Sequence, residues 1–393
     1  MAFSWLGRKA SATHAPAREE KASLHGPALA VSGPGRAAWS PRDGASLARN
    51  GFARNVIGFR CVRMVAEAAA ATPLAASDGA RRLEQHPALS LLARPNADQG
   101  RMEFLETVYG HLLLSGDAWI EGGGRMSTGA PAELHALRPD RMRVVAGADG
   151  WPEAYEYQVG GRRRRFDLGG EIAPVLHLRA FHPLDDHYGM SPLSAAMAAV
   201  DVHNSAGAWA KSLLDNAARP SGALVWSGPD GAALSQAQFD RLRDEIEGAH
   251  AGAANAGRPM VLEGGLDWKP MGFSPSDMEF LETRTAAARD VAIAFGVPPM
   301  LLGLPGDATY ANYQEANRAF HRQTVLPLVT KVADGLARWL EDWTGAPIRL
   351  TPDLDGVTAL AAEREALWRT VSRAEFLSER EKRRILGLPE MEA

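Results

Sequence analysis

Two long helical stretches enclose a small block of strands and helix, and this arrangement constrains the fold more than any other feature. The first stretch runs from Ser191 to about Asn216, with serine as N-cap and proline at the first helical position. The second opens on a capping box formed by Ser274 and Asp277 and runs to Phe295. Between them come a strand "SGALVWSG", a helix "SQAQFDRLRDEIEGA" and two strands, "RPMVLEGG" and "DWKPMGF". A small block set between two long helices reads as a domain on a stalk.

The chain before the stalk carries mixed periodicities. A helix begins near Phe52, with Val56, Phe59, Val62 and Val65 at three- and four-residue steps. "RMEFLETVYGHLLL" is a second helix, with Phe104, Leu105, Val108 and Leu112 on one face, and it stops at Ser115-Gly116. Alternating segments follow: "DAWIE", "LHALRPDRMRVV", "EAYEYQVGGRRRRFDL" around a Gly160-Gly161 hairpin turn, and "PVLHLRAF". This is an α+β unit with a mainly antiparallel sheet. After the stalk, "AFGVPPMLLGLPGDATYANYQEA" breaks the helical pattern with Pro298-Pro299, passes an apolar loop, and restarts as a helix from about Thr309 to Trp343. Pro327 is expected to kink that helix. A strand "PIRLT" and two more helices complete the chain, the last between a Ser378–Glu381 capping box and Gly387.

Composition excludes several function classes. Forty-three Lys and Arg against 47 Asp and Glu leave a net charge of −4. Proteins that grip nucleic acid by counterion release are usually basic on at least one domain. The lone cysteine, Cys61, rules out an intrachain disulfide and a cysteine zinc site. Residues 1–50 are rich in Ala, Gly, Ser, Pro and Arg, which reads as a disordered arm. They hold no apolar core of a signal peptide, and no run is long enough to span a membrane, so a soluble intracellular protein is expected.

Catalytic signatures are weak. No lysine follows a G-x-x-x-x-G spacing, and the glycines of "GAHAGAANAG" follow a helix rather than a strand. No nucleophile elbow is present. His177, His182, Asp185, Asp186 and His187 are ligand types for a metal-assisted hydrolase, but lie on a strand and a loop without helical spacing. "RRRR" (162–165) could touch phosphate, although such a run more often protects a strand edge. The sequence predicts no enzyme, no metal and no cofactor.

Seven pieces in order carry a family resemblance: "GDAWIE", "LRPDRMRV", "VLHLRAFHPLDDHYGMSPLSAA", "NAARPSGAL", "PMVLEGGLDW", the stretch around "FGVPPMLLG" and "TYANYQEA", and "FLSEREKRRILGLPE". Across residues 50 to 390 the chain resembles the portal proteins of tailed double-stranded-DNA phages and phage-derived gene transfer agents. The resemblance implies an arm at 1–50, a wing of helices and mainly antiparallel sheet at 51–190, and a stem helix at 191–217. It further implies a small α/β clip at 218–272, a second stem helix at 273–295 and a tunnel loop at 296–308. The kinked tunnel helix and its return to the wing cover 309–352, and a short helical crown covers 353–393.

Such proteins assemble as a homo-oligomeric ring of about twelve subunits at one capsid vertex. Double-stranded DNA passes through without sequence specificity. The partners implied are the terminase motor, the major capsid protein, and the head-tail adaptor and tail proteins, with no membrane involved. The tunnel loop would face DNA with Val297, Pro298, Pro299, Met300, Leu301, Leu302, Gly303, Leu304 and Pro305, its apolar tip Met300-Leu301-Leu302 either exposed to the channel or packed under the wing. The clip would dock the motor through Phe239, Arg241, Leu242, Arg243 and Ile246. Physical chemistry agrees with the ring: a lone chain of this length has a radius of gyration of about 21 Å, too small to enclose a duplex. A near-neutral balance and an apolar loop suit a channel in which DNA must slide, because strong phosphate contacts act as a brake. The alternatives are an intracellular scaffold without a DNA role and a metal-dependent hydrolase using His177, His182 and Asp185.

Overall fold

The computed structural model describes residues 39–78, 81–215, 222–226, 235–238, 240–242, 244, 266–270, 280–305 and 309–388. Helix α1 (Val56–Ala71) starts on Asn55, whose side chain accepts from the Gly58 N–H at 2.9 Å. Strands β1 (Leu74–Ser77) and β2 (Arg82–Leu83) precede helices α2 (Pro87–Ala93) and α3 (Arg101–Ser115). Then come β3 (Asp117–Gly123), β4 (Glu133–Leu137), β5 (Met142–Ala146), β6 (Pro152–Val159), β7 (Arg162–Asp167) and β8 (Val175–Arg179). Next come α4 (Pro192–Asp215), β9 (Gly222–Trp226), β10 (Leu266–Pro270) and α5 (Phe280–Ala294). Helices α6 (Tyr310–Phe320) and α7 (Leu326–Thr344), strand β11 (Arg349–Pro352), and helices α8 (Ala361–Arg373) and α9 (Glu379–Leu386) follow.

Among the described residues every strand pair is antiparallel, as the alternation predicts, but the strands form separate small sheets rather than one. Their orders are β4–β3–β8, β5–β6–β7, β11–β1–β2 and β9–β10. A tight 3₁₀ turn at Pro139–Arg141 interrupts "LHALRPDRMRVV", so β4 and β5 join different sheets. Gly160 and Gly161 take φ of 55° and 78°, the left-handed pair that a two-residue hairpin needs. The arginines of β7 occupy an edge strand: Arg164 pairs with Glu121 and Arg165 with Glu153 and Asp167.

One large core binds α1, α3, α7 and the inner faces of β3 and β8, with Phe104, Tyr109, Leu336 and Leu340 fully buried. Burial of each such leucine contributes about 2 kcal/mol. A second, smaller cluster of Trp119, Met142, Tyr155 and Phe166 lies on β3 and the β5–β6–β7 sheet. Helix α4 packs along α5, and its N-terminus uses Ser191 Oγ, which accepts from the Ser194 N–H at 2.9 Å. Residues 39–50, assigned from composition to the arm, are part of the folded body. Ser40 donates from its backbone and hydroxyl to the Asp201 carboxylate at 2.8 and 2.6 Å, and Leu47 is buried. Residues 1–38, and the Ser274–Asp277 capping box, lie outside the described residues. Among the described residues no helix is long and apolar enough to cross a membrane.

Candidate functional site

The proline-stiffened stretch after α5 is built from its base outward. Phe295 is buried, and Gly296 turns the chain with φ 64°. The Val297 N–H donates to the Ala292 carbonyl at 2.9 Å, and the buried Val297 side chain pins the turn to the core. Pro298 is extended, and Pro299–Leu302 wind into one 3₁₀ turn with proline at its first position. The Leu301 N–H reaches the Pro298 carbonyl at 2.9 Å, and Gly303, at φ 72°, closes the turn. The Arg289 guanidinium donates to the Pro305 carbonyl, tying the far side of the loop back to α5. Thr309 then caps α6 by accepting from the Asn312 N–H at 3.2 Å.

Below the loop, the expected kink takes the form of a bulge. Pro327 has no N–H for the Gln323 carbonyl, and the ladder adjusts: His321–Val325 form a π-turn in which the Leu326 N–H reaches back to His321 O. This bulge presents Thr324 to the loop, where its hydroxyl donates to the Gly296 carbonyl at 2.6 Å. A Cβ on Gly296 would sit 2.5 Å from that hydroxyl oxygen. Thr324 and Arg289 thus hold the loop from two sides. The sequence marks neither; Pro327 three residues on was the available signal for Thr324.

Met300, Leu301 and Leu302 are half-buried, and Leu301 and Leu302 pack against the main core. Of the two arrangements expected for the tip, the packed one is seen for Leu301 and Leu302: the 3₁₀ turn rolls these two side chains toward the body, so the expectation of a fully exposed tip is corrected. Gly303 and Pro305 are exposed and Leu304 is half-buried. From Gly296 to Pro305 the loop bears no charged side chain.

The other predicted groups fall apart from this site. Arg241 is exposed and Leu242 partly buried on the short described helical piece of the inserted block, while Phe239, Arg243 and Ile246 lie outside the described residues. The hydrolase alternative requires His177, His182 and Asp185 to converge on a metal. Instead His177 stacks on Trp119 with ring centroids 3.5 Å apart, and its Nε2 meets Asp117 Oδ1 at 2.8 Å. Burial and the nearby Arg179 and His187 hold its pKa well below the ordinary histidine value. Asp185 accepts from the His187 and Tyr188 N–H groups, and His182 Nδ1 from the Leu184 N–H, so both shape a turn. Among the described residues no cluster of three or more His, Cys, Asp or Glu could hold a metal.

A model of the family described as phage portal protein matches residues 57–387. The chain belongs to the phage portal protein family. Among solved structures, this portal protein is 60% identical to a chain in the neck of an empty GTA (gene transfer agent) particle computed with C6 symmetry, over 91% of its length and 96% of that chain, with a TM-score of 0.70. A chain in the neck of the native GTA particle computed with C12 symmetry is 59% identical, over 92% of this portal protein and 97% of that chain, at a TM-score of 0.69. An uncharacterized protein of Rickettsia bellii (strain RML369-C) is 38% identical over 346 residues, 86% of this chain and 88% of its own length.

Proposed function

We propose that this portal protein forms the ring-shaped channel at one vertex of a gene-transfer-agent or phage particle. Double-stranded DNA is packaged and ejected through it. The observation that carries the reading is the near-full-length likeness to chains in C6 and C12 necks at about three-fifths identity, with the mixed helix and antiparallel-sheet fold shared. That level of identity to GTA neck chains favours the gene transfer agent over an infectious phage. The role is structural, with ATP hydrolysis left to the terminase motor that docks on the inserted block during filling and gives way to the head-tail adaptor. The major capsid protein surrounds the ring at its vertex.

The loop from Gly296 to Pro305 suits the inner wall. It offers no charge to phosphate, so the contact is steric and nearly independent of salt. Electron microscopy of the purified chain and of native particles tests the reading. Rings with a central channel, and capsids that stay empty of DNA when the chain is removed, are the expected results. A monodisperse monomer at high concentration, with DNA-filled particles lacking the chain, would refute it.

A further inference from the structure

A cleft of about 420 Å³ opens at the base of the loop, where α5 meets the π-turn. Its walls are largely apolar, with Ile293, Phe295 and Leu328 near Gly296 and Thr324, and with Gln323 and Lys331 supplying polar groups. Ile293 is 67% exposed, so the cleft mouth presents apolar surface to solvent. At the other end of the same helical run, α6 begins clear of its own core. Residues 310–315 are all exposed, with Tyr310 at 79% and Tyr313 at 50%. These two rings stand one turn apart and share a face of the helix. Neither lines the cleft of its own chain.

A tyrosine brings a large apolar body with a polar tip, and this cleft offers apolar walls with a polar amide and an ammonium group. Lys331 suits the phenol oxygen or the ring face of such a guest. The spacing decides which tyrosines fit. From Tyr310 to Gln323 the chain spans about 20 Å as helix, so protrusion and recess lie at opposite ends of one element. Cyclic rings are closed by heterologous contacts, in which two different patches of one chain meet across the copy boundary. A helix with a protrusion at one end and a recess at the other meets that requirement when repeated about an axis.

We infer that Tyr310 and Tyr313 of each subunit seat in the neighbouring subunit's cleft, their hydroxyls meeting Gln323 and Lys331. This rests on the ring reading above. Because Gly296 and Thr324 line the cleft, each subunit's tyrosines seat against the base of the next subunit's loop, and the loops of a ring are linked edge to edge.

Disulfide trapping tests the contact. The pair Tyr313→Cys and Gln323→Cys in one chain, mildly oxidised as assembled rings, is expected to lose its monomer band to a ladder of covalent oligomers. Each single variant should keep the monomer band. Cys61 is buried and its thiol is pushed up to about 12, so it stays silent. Hydrogen exchange on the wild-type chain gives a second measure that needs no variant, with amides of 310–315 and 321–331 expected to gain protection on ring formation. Rings whose monomer band persists and whose 310–315 amides gain nothing overturn this contact and leave the ring reading standing. If the wild-type chain forms no rings, both fall together.

Discussion

Gly296 sets the direction of the loop, and two separate costs meet on its missing side chain. Its left-handed backbone disfavours any Cβ by about 1–2 kcal/mol. The Thr324 hydroxyl stands where that Cβ would go. Gly296→Ala should therefore lower stability by roughly 2–3 kcal/mol, read from chemical denaturation. In a Thr324→Ala background the same change should cost about 1 kcal/mol less, because only the backbone term remains. Equal costs in both backgrounds would show that the two residues do not meet. The glycine and the two prolines were legible in the sequence, since each restricts the backbone by itself. Thr324 was not, because a threonine in a helical run shows no special role until the bulge that turns it toward Gly296 is known.

The 3₁₀ turn Pro299–Leu302 is the element where the sequence left two arrangements open. Three successive apolar residues fit an exposed tip and a core-facing turn equally well, and only the winding of the backbone selects. Leu301→Ser and Leu302→Ser should each destabilise the chain by about 1–2 kcal/mol, since half-buried leucine surface returns to water. Met300→Ser, whose side chain does not join the main core, should cost about 0.5 kcal/mol or less. Thermal melts of the three single variants separate the cases, and three equal small shifts would contradict the packing seen here. The capped helices were far easier to foresee. The Ser378–Glu381 capping box is present at the start of α9, and Gly387 closes that helix in the left-handed conformation. The sheets were harder, because alternation predicts strands but not which of them become neighbours across a turn such as Pro139–Arg141.

At the scale of the whole molecule, the α4–α5 pair with the β9–β10 strands and the loop that follows α5 are the features the portal reading rests on. Charge reversal at Arg241 and Arg243 should leave rings intact and lower the DNA content or tail attachment of particles, measured by particle titre and negative-stain imaging. Normal titres would remove the inserted block's arginines from motor docking. Strand β1 pairs with β11 from Leu74↔Pro352 to Ser77↔Arg349, so the body is sewn shut by residues from far apart in the chain. A ribosome adding about 5–20 residues each second leaves β1 without that partner for roughly 14 to 55 s. During that interval the nascent chain holds an open strand edge beside an unfinished core. The β1 edge therefore closes only after the residues of β11 have been made, so this part of the body cannot finish folding before then.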